Sequence, residues 1–253
     1  MKIAVTMKQV PDPGGPQGLE ADRTLLRDRE VALDPGDEYG IEVALRIKES
    51  QGADVVLVSM GPERARDAVR KGLSMGADRG LLISDGALSG ADALLTARAL
   101  AAALRSEAPD LVICATESYD GSTGMVPPML AELLGMPQLT IAKSVEVAGG
   151  NVTVHRQTGD GYQVVVAELP ALITVTAGIA EPRYASLRGI MAARSKEIGI
   201  LTLKDLNLEL SGGAETIEEM VDAPVRAVGE TVEDDGSSGV DSIMAALRAA
   251  KVI

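Results

Sequence analysis

A chain of 253 residues suffices for one large domain, or a domain with an extension, and 46% hydrophobic residues supply a sizeable core. A net charge of -13 argues against a nucleic-acid partner, the single His cannot build a multi-histidine metal site, and one Cys excludes an internal disulfide. Phe and Trp are absent and Tyr numbers only 4, so base-stacking platforms are missing and Leu, Val, Ile, Ala and 10 Met must fill the interior.

Taken in chain order, Ile3 to Met7 reads as a first strand, since Lys8 interrupts the apolar stretch too early for a secretory signal. No apolar run approaches membrane-span length, and a cytoplasmic chain without a targeting peptide is expected. Lys8-Gln9-Val10-Pro11-Asp12-Pro13 reads as a strand-ending turn. Asp34-Pro35 precedes a helical pattern (Ile41, Val43, Ala44, Leu45, Ile47), with Asp34 as its cap. Asp54 to Met60 is a second strand. Gly61-Pro62-Glu63 opens a helix with proline in its first turn, and Gly76 closes it. Gly80 to Ile83 is a third strand, and Ser89-Gly90-Ala91-Asp92 resembles a capping box for an Ala/Leu-rich helix reaching Leu104. Leu111 to Ala115 is a fourth strand, enclosing Cys114 as a buried inert thiol, and Ser122 to Leu134 a fourth helix. Strands alternating with helices predict an α/β fold with a mostly parallel sheet.

From residue 143 the period changes to two. Val145 to Val147, Val152 to Arg156 and Gln163 to Glu168 alternate around Gly149-Gly150-Asn151 and Gly159-Asp160-Gly161, which predicts antiparallel hairpins, one of them carrying His155. Ala171 to Thr176 is short, β-branched and apolar, as a strand covered on both faces should be. After it, Gly178 and Pro182 break the pattern. Arg183, Tyr184, Leu187, Arg188, Ile190 and Met191 then mix cations with apolar groups, with a helical turn near Ser186 to Ala193 and with Arg194 and Lys196 following. Two readings fit: a contact surface on a sheet edge, or a connector whose Leu187 and Ile190 pack back onto the body. Glu209 to Gly239 is rich in Gly, Ser, Asp and Glu and reads as a flexible acidic linker. Beyond it, Asp241 to Val252 places Ile243, Met244, Leu247 and Ala250 on one helical face.

One polar, glycine-containing loop follows the fourth strand: Ala115-Thr116-Glu117-Ser118-Tyr119-Asp120-Gly121-Ser122-Thr123-Gly124-Met125-Val126. Open α/β sheets bind ligands at such places, and N–H groups at Ser122, Thr123 and Gly124 would suit a phosphate. No lysine follows Gly124, so this is not a nucleoside-triphosphate loop. Taken bare, the residues favour a simple helix cap at Asp120 or Ser122 over a ligand loop. No nucleophile–base pair is apparent.

Glu181-Pro182-Arg183-Tyr184-Ala185-Ser186-Leu187, with Gly189-Ile190-Met191 and Ala193, resembles the signature of the beta subunit of electron-transfer flavoproteins. Val154, Arg156, Gly159-Asp160-Gly161 and Leu169-Pro170-Ala171 match the pattern leading into it, as do Lys8 to Asp12 and Gly72-Leu73-Ser74-Met75-Gly76-Ala77-Asp78 nearer the start. The likeness covers roughly residues 1 to 205 and is loose beyond.

The resemblance implies a Rossmann-like nucleotide-binding domain over 1–205 and an extension over 206–253 that reaches a larger alpha subunit. It implies a non-enzymatic carrier whose FAD, shared with that subunit, takes electrons from dehydrogenases such as acyl-CoA dehydrogenases and gives them to a membrane quinone reductase. It also implies an AMP held by Thr6, by Asp34, Pro35, Gly36 and Asp37, by Met60, and by Ala115, Asp120, Gly121, Ser122, Thr123, Gly124, Met125 and Val126. Pro13 would lie near the FAD. Glu181, Pro182, Arg183, Tyr184, Leu187, Arg188, Ile190 and Met191 would recognise partners, with Leu187 as anchor and Arg183, Arg188 and Arg194 steering. Ala192 and Ser195 stand where some relatives carry lysines, so the rim is less basic. Electron-bifurcating members hold a second FAD in the AMP pocket, and Asp120-Gly121-Ser122-Thr123 is compatible with either ligand.

Overall fold

The computed structural model describes residues 1–15, 18–19, 25, 30–209, 215, 221, 224, 229, 231–232, 236 and 238–253. The chain divides into two compact units, Met1–Glu218 and Glu219–Ile253. Most of the acidic linker expected over Glu209 to Gly239 lies outside the described residues.

In the first unit, β1 (Lys2–Met7), β4 (Asp54–Met60), β6 (Leu111–Ala115) and β10 (Ala171–Val175) form the middle of a nine-stranded sheet of order β11-β5-β4-β1-β6-β10-β7-β8-β9. The outer members are β5 (Arg79–Ile83), β7 (Gln138–Ala148), β8 (Asn151–Thr158), β9 (Gly161–Glu168) and β11 (Ile198–Leu201). All pairings from β11 across to β7 are parallel, whereas β7–β8 and β8–β9 are antiparallel hairpins. β7 serves both parts by bending at Ile141, which adopts φ 58°, and the buried Thr174 hydroxyl accepts the Ile141 N–H there (2.8 Å). The sheet is therefore mostly parallel with an antiparallel addition, as the change of period predicts.

Alternate side chains of each central strand feed two layers. Ile3, Val5, Leu57, Ile113 and Ile173 pack beneath α1 (Pro35–Gln51) and α2 (Arg66–Met75), while Ala4, Val56, Val58, Val112 and Leu172 pack beneath α3 (Ala93–Glu107) and α4 (Val126–Leu134). β10 is buried at every position. It lies between β6 and β7, so the strand leading into the cationic segment is interior and not at an edge.

Several local expectations are corrected. Ser89 ends a 3-10 turn (Gly86–Leu88) and the cap of α3 is Asp92, whose Oδ1 accepts the Leu95 N–H (2.7 Å). Pro62 precedes a 3-10 turn at Glu63–Ala65, and α2 begins only at Arg66. The helix expected from Ser122 starts at Val126, because Ser122 and Gly124 both hold left-handed backbone (φ 46° and 62°) that no helix accommodates. Three strands escaped the sequence reading: β11, and the antiparallel pair of β2 (Gln9–Pro11), read as a turn, with β3 (Val31–Leu33). In the second unit, α6 spans Ser238–Ala249, so Ala250 falls just past its helical end. Among the described residues no helix is long and apolar enough to cross a membrane.

Candidate functional site

The strand order β5-β4-β1-β6-β10 reverses direction at β1, because the chain leaves β1 toward β4 and returns to β6 on its other side. Open α/β sheets leave a crevice at the carboxyl ends of strands flanking such a reversal. Thr6, Met60 and Ala115 are the residues at or next to those ends on β1, β4 and β6.

Three segments converge there. Asp34 caps α1, its Oδ1 accepting the Gly36 N–H (2.8 Å), and its Oδ2 accepts the Tyr119 N–H (2.7 Å) from the β6–α4 loop. Space at 36 is tight, since a Cβ there would stand 3.2 Å from both the Ala115 Cβ and Asp34 Oδ1 and its neighbours would have to give by a few tenths of an ångström. The Lys8 backbone N–H donates to Asp37 Oδ2 (2.7 Å), and the Lys8 carbonyl accepts the Asp34 N–H (3.0 Å). Lys8 Nζ donates to Asp120 Oδ1 (2.7 Å), and the Asp120 side chain is only 1% exposed. Lys8 thus ties the first strand end, the start of α1 and the loop after β6 into one frame. Sequence reading places Lys8 in a turn and misses this bridge, which depends on three separate loops meeting.

The electrostatics follow from burial. Desolvation raises the Asp34 carboxyl above its ordinary value despite the two N–H donors, and raises Asp37 well above it, with the Asp34 charge adding to the effect. Burial likewise pushes the Cys114 thiol up to about 12, as befits an inert core cysteine. Within the loop, the Ser122 N–H is not free, as expected of it, but donates to the Ser118 carbonyl (2.9 Å). The N–H groups of Thr123, Gly124, Met125 and Val126 have no acceptor among the described residues. The donor set lies one residue further along than the sequence suggests, and Pro127 and Pro128 offer none. Pro13 belongs to a separate turn, where Asp12 accepts the Gly14 N–H at Oδ1 (2.9 Å) and the Gly15 N–H at its carbonyl (3.0 Å).

The second candidate surface is α5 (Leu187–Ala193). Ser186 caps it, accepting the Gly189 N–H at Oγ (3.0 Å). Its inner side rests on α2, where Ala193 is buried and Gly189 lies so close to the Ser74 carbonyl that any Cβ would overlap it. Its outer side is bare, with Leu187 78% and Met191 60% exposed, and Tyr184 just before it is 93% exposed. Leu187 therefore does not pack back onto the body. Glu181 and Arg188 are exposed, Pro182 is half-buried, and Ile190 is the least exposed of the helix's apolar side chains outside Ala193. Arg183 departs from the expectation of a steering cation, because Glu42 and Glu49 of α1 occupy its guanidinium. Glu42 was legible as an anomaly, being a lone charge inside the apolar run Ile41 to Leu45.

Residues 22–206 match the family model described as an electron transfer flavoprotein domain. The chain is 42% identical to the electron transfer flavoprotein subunit beta of Mycobacterium bovis, over 99% of each chain. It is 36% identical to the protein of the same name from Megasphaera elsdenii, over the whole of both. It is also 33% identical, again over the full length of both, to the acryloyl-CoA reductase electron transfer subunit gamma of Anaerotignum propionicum. With more than half its length matched, an α/β architecture of the expected kind and the signature segment folded as a surface loop leading into α5, the chain belongs to the electron transfer flavoprotein beta-subunit family.

Proposed function

We propose that this chain is the smaller half of a heterodimeric electron carrier that, with a larger alpha subunit, holds one FAD. Electrons pass through it from dehydrogenases, acyl-CoA dehydrogenases among them, to a membrane quinone reductase in a cytoplasmic, non-catalytic role. The observation that carries this reading is α5 with the residues leading into it: the helix's inner side is fixed, while Leu187 and Met191 on its outer side and Tyr184 just before it meet no partner within the described residues. A central apolar residue inside a polar rim suits a transient interface, and burying Leu187 would contribute roughly 1.5–3 kcal/mol. The flavin, when bound, supplies the redox chemistry, while the protein orients it and admits the correct partner. Lys8 to Pro13 contribute packing and polarity near it. The domain at 1–205 does the nucleotide binding, and the extension at 206–253 reaches the larger subunit.

A structural AMP fits the crevice at β1 and β6. Successive N–H groups from Thr123 to Val126 lack acceptors among the described residues, and a phosphate would supply them. The nearby carboxylates do not oppose it, since Asp34 faces the Tyr119 and Gly36 N–H groups and Asp120 faces Lys8. Thr6, the Asp34 to Asp37 turn and Met60 would meet the nucleoside. A second reading puts another FAD in the same pocket, within an electron-bifurcating assembly. The Anaerotignum relative, named for a reductase, favours keeping it. Denaturing the purified heterodimer and separating the released nucleotides decides. One FAD and one AMP per heterodimer are expected, whereas two FAD and no AMP would move the chain to the second reading.

A further inference from the structure

We propose that Arg183 is a positioning residue for partner recognition: held by Glu42 and Glu49 of α1, it fixes the pose in which α5 presents Leu187, and it does not itself contact the partner. The inference rests on the reading that α5 recognises a dehydrogenase.

Glu42 is nearly inaccessible (3% exposed), and a buried carboxylate is costly unless its oxygens are satisfied. Arg183 satisfies them from Nε (2.7 Å), from Nη2 (3.2 Å) and from its own backbone N–H (3.3 Å), and Arg46 Nε adds a fourth bond (2.8 Å). The same guanidinium reaches Glu49, seven residues along the same face of α1, through Nη2 (3.1 Å) and Nη1. All three guanidinium nitrogens are therefore engaged inside the chain. Arg46 Nη2 also approaches the Glu181 carbonyl (3.5 Å), so the chain entering α5 is tied to α1 at both 181 and 183.

The other end of α5 is held as firmly. Arg70 Nη1 donates to the Ala193 carbonyl (2.5 Å) and the Arg194 carbonyl (3.2 Å), and Lys196 Nζ donates to the carbonyls of Leu73 (3.1 Å) and Ala77 (2.5 Å). A helix of 7 residues does not persist unaided, so these two anchorages, with Gly189 pressed on α2, define its pose. Holding a recognition element in its bound conformation removes an ordering cost from association. Planar bidentate geometry is what the entrance clamp requires, and a lysine at 183 would keep the charge but lose the fork.

The test uses the flavin-loaded heterodimer and an acyl-CoA dehydrogenase with its acyl-CoA substrate. In Arg183→Gln, amide exchange over residues 184–193 should quicken about tenfold. The KM for the carrier should rise about three- to tenfold with kcat and FAD content unchanged, and Arg183→Lys should fall between it and wild type. Unchanged exchange, or faster exchange with an unchanged KM, would overturn the proposal. Should Arg183→Gln fail to fold, Glu49→Gln loosens only the outer arm and should raise KM in the same direction by a smaller factor; no rise would count against the clamp equally. Leu187→Ala separates the layers of the argument. If it leaves KM untouched, the recognition reading itself fails. If it raises KM while Arg183→Gln does not, only the positioning role is lost.

Discussion

At the start of α1 two carboxylates one turn apart, Asp34 and Asp37, are both almost fully shielded from water. Asp34 is compensated by two N–H groups, but Asp37 receives only the Lys8 N–H among the bonds described, so burial and its neighbour's charge dominate. A carboxyl raised in this way binds its proton more tightly in the folded chain than in the unfolded one. Its contribution to stability is fully present below the ordinary value of 3.8 and is lost as pH rises through the raised folded value. Glu42, Asp78 and Glu107 have the opposite sign: all three are lowered, and their contributions are lost as pH falls through the folded values. Asp37→Asn keeps an acceptor for the Lys8 N–H and removes the ionisation. Its melting temperature should exceed that of the wild type, and by more at pH 8 than at pH 5, in thermal unfolding at the two pH values. Equal shifts at both would show that Asp37 is no more perturbed than a surface carboxylate.

Among the elements, α6 is the one to which the proposed function assigns the larger subunit as partner. Val240 and Ile243 are exposed on it, and no described residue of the second unit buries them. The first unit closes its own core, with Leu203, Leu206 and Leu208 packed on the cluster beneath α3. Deleting residues 219–253 should therefore shift the melting of the remaining chain by no more than about 2 °C, while abolishing stable association with the larger subunit in light scattering. Retained association would assign the extension another role. The elements also show what a sequence can reveal. Asp54–Met60 and Leu111–Ala115 have the ends expected of them, because continuous β-branched and apolar runs bounded by polar residues leave little choice. The start of α4 was displaced by the left-handed turn at Ser122, a conformation serine seldom takes, though Pro127-Pro128 hinted at it. β11 was hidden because its four residues form a strand only against β5, far away in sequence. The place of the crevice was legible from the strand–loop–helix order. The Lys8–Asp120 and Arg183–Glu42 pairs were not, since they join residues more than a hundred positions apart.

On the scale of the whole molecule, apolar surface is left uncovered in more than one place. Besides α5, the outermost strand β9 exposes Tyr162, Val164 and Val166 on one face, with Tyr162 stacked on His155 (centroids 4.8 Å apart). Such surfaces invite association, and the proposed heterodimer would give them a use. Produced without the larger subunit, the chain should bind little flavin, as flavin absorbance after gel filtration would reveal. A stoichiometric yellow single chain would contradict the heterodimer reading.

The pairing of β11 with β5 also sets a schedule. Ile83 and Ile198 are separated by about 115 residues, so at ~5–20 residues per second a ribosome needs roughly 6–23 s to deliver the strand that covers β5. During that interval the edge of β5 and the flank of α2 stand open on a growing chain, offering backbone donors and acceptors to any extended peptide nearby. The last strand to arrive is also the one that follows α5. Only a few residues separate α5 from β11, so the surface helix and the strand that closes the sheet arrive almost together, and a chain stopped short of them carries neither.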